Sequence, residues 1–290
     1  MSVGIGVAGT LGRSDPLQVI QESRSPGGSR LSGRGGWRSL RVWRLVVLAL
    51  AGLYFLVPLW AAFRFSLNYV GPGFSDQAYT QLTAQQGFST AIWLSVQLAI
   101  VTTIVELAIM VPTTIYIHLR LPRLKRVMDF VTALPIVVPP VVLILGVLQV
   151  APNRLKSTPF LLALEYVVLA VPFSYRALDA GVRSLDLQTL VDASRSLGGG
   201  WLTTMRRVIM PNMRVAILSA TVLTVALVLG EFTMASLDLQ QTFPTWIVVF
   251  DQTNAHVSVA ASLMALLLTW VVLIGISFFG GARGKSGGPR

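Results

Sequence analysis

Residues 45–63 read LVVLALAGLYFLVPLWAAF and hold no charged side chain, although Arg44 and Arg64 flank them directly. Nineteen residues in a helix extend about 28 Å, close to the thickness of a hydrocarbon core of about 30 Å. Lipid offers no water to backbone N–H and C=O groups, so such a segment must be helical. A cleaved signal peptide is disfavoured, because the apolar run and the segment before it are both too long.

Five similar apolar stretches follow this first one. They lie at residues 91–117, 127–150, 160–178, 215–237 and 259–279. The chain as a whole is 53% hydrophobic and 12% charged, and that charged fraction is about half of the usual value for a soluble domain. The sequence therefore predicts an all-α, polytopic integral membrane protein with six transmembrane helices.

Basic residues are concentrated on one side of the predicted spans. Of the 23 Lys and Arg residues, 20 lie on the side that holds both termini and three on the other. Basic loops stay in the cytoplasm, so both termini are predicted to be inside. Residues 1–44 are predicted to be a disordered basic cytoplasmic arm, 45–280 the membrane domain and 281–290 a cytoplasmic tail. Topology accounts for the net charge of +11, so lipid and not nucleic acid is the expected surface partner.

The sequence offers no site for covalent chemistry. It has no cysteine and two histidines, so neither a metal site nor catalytic residues are predicted. Residues 4–9 match GxGxxG without the strand that a dinucleotide site requires. Gly284-Lys285-Ser286 lacks the first glycine of a phosphate-binding loop, since position 279 is Phe279. We expect no cofactor on this chain, so any ATP and Mg would bind to another subunit.

The polar segment between the fourth and fifth stretches reads DAGVRSLDLQTLVDASRSLGGGWLTTMRRVIMPN at residues 179–212. Ser184 or Asp186 could cap its first helix. The residues predicted to share the apolar face of that helix are Leu187, Leu190, Val191 and Leu197. Gly198–Gly200 break the helix, and Pro211 is expected to end a second one. Its apolar face comprises Trp201, Leu202, Met205, Val208 and Ile209. Spacing alone leaves two roles open, docking to a partner protein and lying flat on lipid headgroups.

This segment resembles the EAA loop of permease subunits in ATP-binding-cassette importers, with the pattern EAA-x3-G-x9-I-x-L-P. The matching residues here are Asp192-Ala193-Ser194, Gly198 and Val208-Ile209-Met210-Pro211, all at the family's spacing. The differences are Asp for Glu, Ser for the second Ala, Val for Ile and Met for Leu. The resemblance covers residues 45–280, with the loop at 186–211.

The resemblance implies a type I importer permease whose loop inserts a coupling helix into a separate ATPase. The residues expected to form that contact are Asp192, Ala193, Ser194, Leu197, Gly198, Val208, Met210 and Pro211. It also implies two ATPase subunits, a second permease (identical or related), an extracytoplasmic solute-binding protein and a bacterial plasma membrane. By this resemblance the chain itself is not an enzyme.

Prolines and carboxylates inside the apolar stretches are candidates for the solute pathway. Pro139 and Pro140 interrupt the third stretch, and the alternatives are a packing kink and a shaped pathway. Glu106, Glu165 and Glu231 lie where a charge is costly, so each is expected to face protein or water. Glu165 and Glu231 are predicted at similar depth near the outer mouth. They either make structural contacts or form an acidic entry for a cationic solute.

The fifth stretch carries a second resemblance. Leu229–Ser236 and Thr242–Trp246 resemble the permease subgroup for polyamines, iron, phosphonate, sulfate, molybdate and thiamine. The spermidine/putrescine members are most similar, so a polyamine is the expected solute, with the others as alternatives. Two other classes are an ion-coupled secondary transporter, which would use the intramembrane carboxylates, and a membrane scaffold without transport.

Overall fold

A computed structural model describes residues 36–69 and 73–281, and every regular element within them is helical. In chain order the elements are α1 (Gly36–Leu67), α2 (Gln77–Ala84), α3 (Phe88–Arg120), a 3₁₀ turn (Pro122–Leu124), α4 (Lys125–Val131), α5 (Leu134–Val137), α6 (Pro140–Val150), α7 (Pro159–Arg183), α8 (Leu187–Ser196), α9 (Trp201–Thr204), a π-helical turn (Met205–Ile209), α10 (Met210–Asn212), α11 (Arg214–Gly230), α12 (Thr233–Leu237), α13 (Phe243–Asp251) and α14 (Ala255–Gly281). Contacts separate a unit ending at Val57 from a unit that begins at Pro58 and holds α2–α14.

Four helices in the described part of the chain are long and apolar enough to cross a membrane unbroken, namely α1, α3, α7 and α14. Two further candidates are bent pairs of helical segments, at residues 122–150 and 201–230. The chain thus has four to six candidate spans, which confirms a polytopic all-helical protein. The count of six and the orientation stay predictions.

The third apolar stretch is broken rather than kinked. Val138 and Pro139 are extended, with ψ of 119° and 138°, and the segments on either side of the break meet at 98°. Proline disfavours the helical conformation of the residue before it. Val138 precedes Pro139 and Pro139 precedes Pro140, so both residues are disfavoured in a helix. Pro140 then begins α6 as its first residue, where a missing N–H costs nothing.

Two other predicted boundaries are wrong. The fifth stretch was expected to be helical through residue 237, but α11 ends at Gly230 and Glu231 is extended, with ψ of 126°. The predicted arm 1–44 overlaps α1, which begins at Gly36, because Trp37 and the residues after it continue the helix. Residues 1–35, with the GxGxxG match, and residues 282–290, with the predicted tail, lie outside the described residues.

Helices α3, α7 and α11 pack against one another and form the centre of the second unit. Gly181 of α7 lies so close to Ala216 of α11 that a Cβ at Gly181 would overlap the alanine methyl. Small residues of this kind let membrane helices approach closely. Near this crossing lies a core to which α8 and the π-helical turn contribute Leu187, Val191, Met205 and Ile209.

Candidate functional site

The segment between α7 and α11 folds as a short helical hairpin, formed by α8 and α9 with the π-helical turn. Asp186 caps α8, because its carboxylate accepts the Thr189 hydroxyl at 2.7 Å and the Thr189 backbone N–H at 3.3 Å. These two bonds favour the charged form and hold the pKa of Asp186 below its ordinary value. Leu187 and Val191 are buried on the inner face of α8. The hairpin is therefore anchored in the core of the membrane domain.

The bend of the hairpin depends on two glycines for different reasons. Gly198 has a φ of +78° and a Cβ there would meet nothing within 4 Å, so its requirement is purely conformational. A Cβ at Gly199 would lie 2.5 Å from Ser194 Oγ and 2.8 Å from the Ser194 carbonyl oxygen. The close approach is thus required at Gly199, which the EAA-type pattern did not single out.

Two hydroxyl groups hold the two arms of the hairpin together. Ser194 Oγ and Thr204 Oγ1 lie 2.7 Å apart and are buried, and Thr204 donates its hydrogen to the Gly200 carbonyl oxygen at 3.0 Å. Since Thr204 has one hydroxyl hydrogen, Ser194 must be the donor between the two. Ser194 was predicted as a contact for the ATPase, but the structure assigns it to the interior of the hairpin.

The second arm contains a π-helical turn, which the sequence did not reveal. Pro211 has no N–H to donate to the carbonyl four residues earlier, and the preceding turn, Met205–Ile209, widens into π geometry. Pro211 was expected to end the helix, yet it lies in the first turn of α10, which continues to Asn212. The direction changes by 74° between the segment ending at Asn212 and α11.

The outer face of the hairpin carries exposed apolar side chains. Leu197 is 90% exposed, Leu202 67% and Trp201 44%. We call these three residues the hairpin patch. Leu197 was expected on the face of Leu187, but α8 ends one residue before it and the chain turns outward.

The other residues predicted for the coupling contact divide by exposure. The exposed ones are Asp192, Ala193, Gly198, Met210 and Pro211, whereas Val208 is half-buried. Of the eight residues predicted for the coupling contact, Ser194 is the one that is buried.

The two predicted pathway carboxylates differ in their contacts. Glu231 accepts the backbone N–H of Met234 at 2.9 Å and the Tyr166 hydroxyl at 3.0 Å, so it ties the start of α12 to α7. Glu165 is 2% exposed, and neither of its oxygens has a hydrogen-bond partner. The two carboxylates lie within electrostatic reach of each other. Glu231 thus makes structural contacts, one of the two roles considered for it, and a pathway role for either carboxylate stays a prediction.

Glu106 and the two prolines have different environments. Glu106 is fully buried in α3, where its Oε2 accepts a hydrogen bond from the Thr224 hydroxyl of α11 and its Oε1 has no partner. Pro139 and Pro140 form the break before α6, which packs against α12. Glu106 thus joins α3 to α11, while the prolines place α6 beside the segment that Glu231 caps.

One charged cluster was not anticipated from the sequence. Asp179, near the end of α7, is 7% exposed and lies 3.0 Å from His118 Nε2, 3.3 Å from Lys125 Nζ and 2.5 Å from Arg183 Nη2. Counting basic residues assigns Lys125 and Arg183 to the inside-positive loops and leaves His118 out. An acidic residue four positions before an arginine was the available signal.

The fold is that of a multi-pass membrane component whose hairpin exposes apolar side chains. The chain belongs to the family of binding-protein-dependent transport system inner membrane components, whose model matches residues 110–282. It is therefore a permease component of an ATP-binding-cassette importer, located in the plasma membrane and not itself catalytic.

Similar proteins fit this assignment. A probable molybdenum ABC transporter permease of Haloferax volcanii is 32% identical over 69% of this chain and 76% of its own length. A probable sulfate transport system permease of Helicosporidium sp. subsp. Simulium jonesii is 27% identical over 65% and 73%. A solved bacterial ABC transporter involved in the import of alginate has a TM-score of 0.66 at 15% identity, covering 86% of this chain and 99% of that one. The last similarity establishes the fold only.

Proposed function

We propose that this chain is the subunit through which a separate ATPase drives the uptake of a small tetrahedral oxyanion of the molybdate and sulfate class. The observation that carries the proposal is the hairpin with two faces. Its inner face is buried against α3, α7 and α11, and its outer face exposes the hairpin patch. Exposed apolar groups beside an exposed Asp192 suit a protein groove with a polar rim.

The buried contacts suggest how motion would pass from the ATPase to the membrane. Met205 and Ile209 pack with Ile115 of α3, Leu178 of α7 and Ala220 of α11. Packed interiors deform little, so a displaced hairpin would move these three helices rather than slide over them. Alternating access would follow when ATP closes the ATPase pair and the docked hairpins move with it.

The complex we propose has the composition expected from the sequence. Two ATPase subunits would bind ATP and Mg, a second permease would complete the pathway, and an extracytoplasmic binding protein would deliver the solute. Both termini and the hairpin would face the cytoplasm, in agreement with the concentration of Lys and Arg on that side. This chain would hold no cofactor.

The oxyanion is favoured over the polyamine by two observations. The relatives described above are named for molybdenum and sulfate. In addition, the acidic residue behind the polyamine resemblance, Glu231, has its carboxylate occupied by a helix terminus and a tyrosine. Beside the resemblance, an acidic entry was a second reason to expect a cationic solute, and a capped carboxylate supplies no such entry. A polyamine remains the alternative that uptake measurements must test.

The experiment is transport by the reconstituted complex. The chain, its ATPase and its binding protein are placed in proteoliposomes, and uptake of molybdate, sulfate and spermidine is measured with ATP, without ATP and with a protonophore. We expect ATP-dependent, protonophore-insensitive uptake of an oxyanion. Leu202→Asp should abolish ATPase retention, whereas Leu239→Asp, at an exposed leucine outside the hairpin, should not.

Three results would contradict the proposal. Uptake driven by an ion gradient would indicate a secondary transporter, uptake of spermidine alone would restore the polyamine assignment, and no flux of any solute would favour a scaffold.

A further inference from the structure

The Asp179 cluster joins three elements that are separate in the sequence. His118 lies in the last turn of α3, Lys125 begins α4, and Arg183 ends α7. All three contact the one carboxylate of Asp179. A second contact reinforces the junction, because the Tyr175 hydroxyl of α7 donates to Asp129 Oδ1 of α4 at 3.0 Å.

The position of the cluster connects the hairpin with the broken third stretch. Asp179 lies one helical turn before the end of α7, and α8 begins at Leu187, a few residues further on. On the other side, Lys125 and Asp129 belong to α4, which leads through the break at Pro139 into α6. The Asp179 cluster therefore lies between the hairpin and the segment that leads to the break.

The chemistry of the cluster makes Asp179 its centre. An ionised carboxylate is costly to bury unless it is paired, and the guanidinium and ammonium groups supply that pairing. The imidazole Nδ1 of His118 lies 2.9 Å from the Thr114 carbonyl oxygen, which orients the ring so that Nε2 points at Asp179. Without the carboxylate, Lys125 and Arg183 would lose the anion that they share.

We propose that Asp179 is a positioning residue for coupling: it fastens α3 and α4 to the base of the hairpin, so that hairpin motion reaches the broken segment α4–α6. The inference rests on the proposed function and extends it, since the buried hairpin core draws its partners from α3, α7 and α11, and α4 adds only the partly buried Met128 at its edge. Asp179 contacts neither solute nor ATP. Its role is to make the third apolar stretch move with the other helices.

The test compares ATP hydrolysis with uptake in the reconstituted complex. Asp179→Asn keeps the size of the side chain and removes its charge. We expect uptake per ATP hydrolysed to fall at least about fivefold, the lower end of typical coupling between sites, while ATPase retention is unchanged. Asp179→Glu should restore part of the ratio, because it restores the charge. Asp251→Asn, an exposed carboxylate at the end of α13, is the matched control and should behave as wild type.

Each outcome decides between the inference and its alternatives. A wild-type ratio in Asp179→Asn overturns the inference, as does a loss that Asp179→Glu fails to restore, which would indicate a purely structural role. If Asp179→Asn does not accumulate in membranes, Lys125→Met and His118→Gln carry the test, since each removes a single contact with Asp179. Both should lower the ratio. Failure of wild-type protein to retain any ATPase would instead refute the proposed function.

Discussion

The conformation of Gly198 predicts how strongly the hairpin depends on it. At a φ of +78°, a residue with a Cβ pays about 1–2 kcal/mol to adopt the left-handed region. No atom lies within 4 Å of the Cβ position, so sterics inside this chain add nothing. Gly198→Ala should therefore weaken ATPase binding by about 5- to 30-fold, since each 1.4 kcal/mol corresponds to a factor of ten.

Three substitutions at this position separate backbone conformation from contact with the partner. Asparagine tolerates the left-handed region, so Gly198→Asn should lose less affinity than Gly198→Ala. Gly198→Leu has the same backbone strain as Gly198→Ala. Any further loss of ATPase affinity therefore measures a clash between the leucine side chain and the ATPase. Membrane insertion should be intact in all three.

The assay is a titration of the nanodisc-embedded chain with purified ATPase subunit, followed by uptake measurements with the same variants. Equal affinities for Gly198→Ala and wild type would refute the conformational argument. Equal losses in Gly198→Ala and Gly198→Asn would refute it as well, because the two residues differ in their tolerance of a positive φ.

Three further perturbations follow from the packing. Gly181→Val should force α7 and α11 apart and lower the free energy of unfolding by about 1–3 kcal/mol. Thermal unfolding in detergent measures this change. The control is Gly146→Val, at a position with open space around the Cβ, and its stability must stay near that of wild type. Ser194→Ala should lower the free energy of unfolding by about 1 kcal/mol. Thr204→Val should lower it further, because the threonine hydroxyl makes two hydrogen bonds. If Ser194→Ala proved the more destabilising in the same assay, the assigned donor would be wrong. The lowered pKa of Asp186 means that its stabilising contribution is present above the ordinary pKa of an aspartate, about 3.9, and disappears as the pH falls through the lower folded-state value. Unfolding of wild type and Asp186→Asn should therefore differ at neutral pH and converge in acid, and a constant difference would disprove the cap.

An all-helical, multi-pass protein was predictable from the sequence, whereas the interruptions of its apolar stretches were not. Length and hydropathy are properties of each segment alone, and they predicted helical structure within each stretch. Whether prolines kink or break a helix depends on what can satisfy the freed backbone groups, so the 98° break at Pro139 required the three-dimensional structure. The extended Glu231 was missed for the same reason, because a donor from Tyr166, 65 residues away, stabilises it.

The hairpin shows a similar division. Its two arms and its glycine bend were evident from apolar spacing, but the face on which Leu197 lies was not. Helical periodicity applies only inside a helix, and α8 ends at Ser196, so Leu197 turns away from the predicted face. Asp179 was missed because its partners are 54 to 61 residues away in α3 and α4, and sequence spacing reveals only its neighbour Arg183.

The hairpin patch also has a consequence for how the cell must manage this protein. A copy synthesised in excess of its ATPase would present Leu197, Trp201 and Leu202 to water, and contiguous exposed apolar surface promotes aggregation and recognition by quality control. We expect orphan copies to be degraded faster than assembled ones. Exposure of the hairpin patch would then mark permease copies that lack an ATPase. The permease would accumulate only when the two proteins are synthesised in balanced amounts.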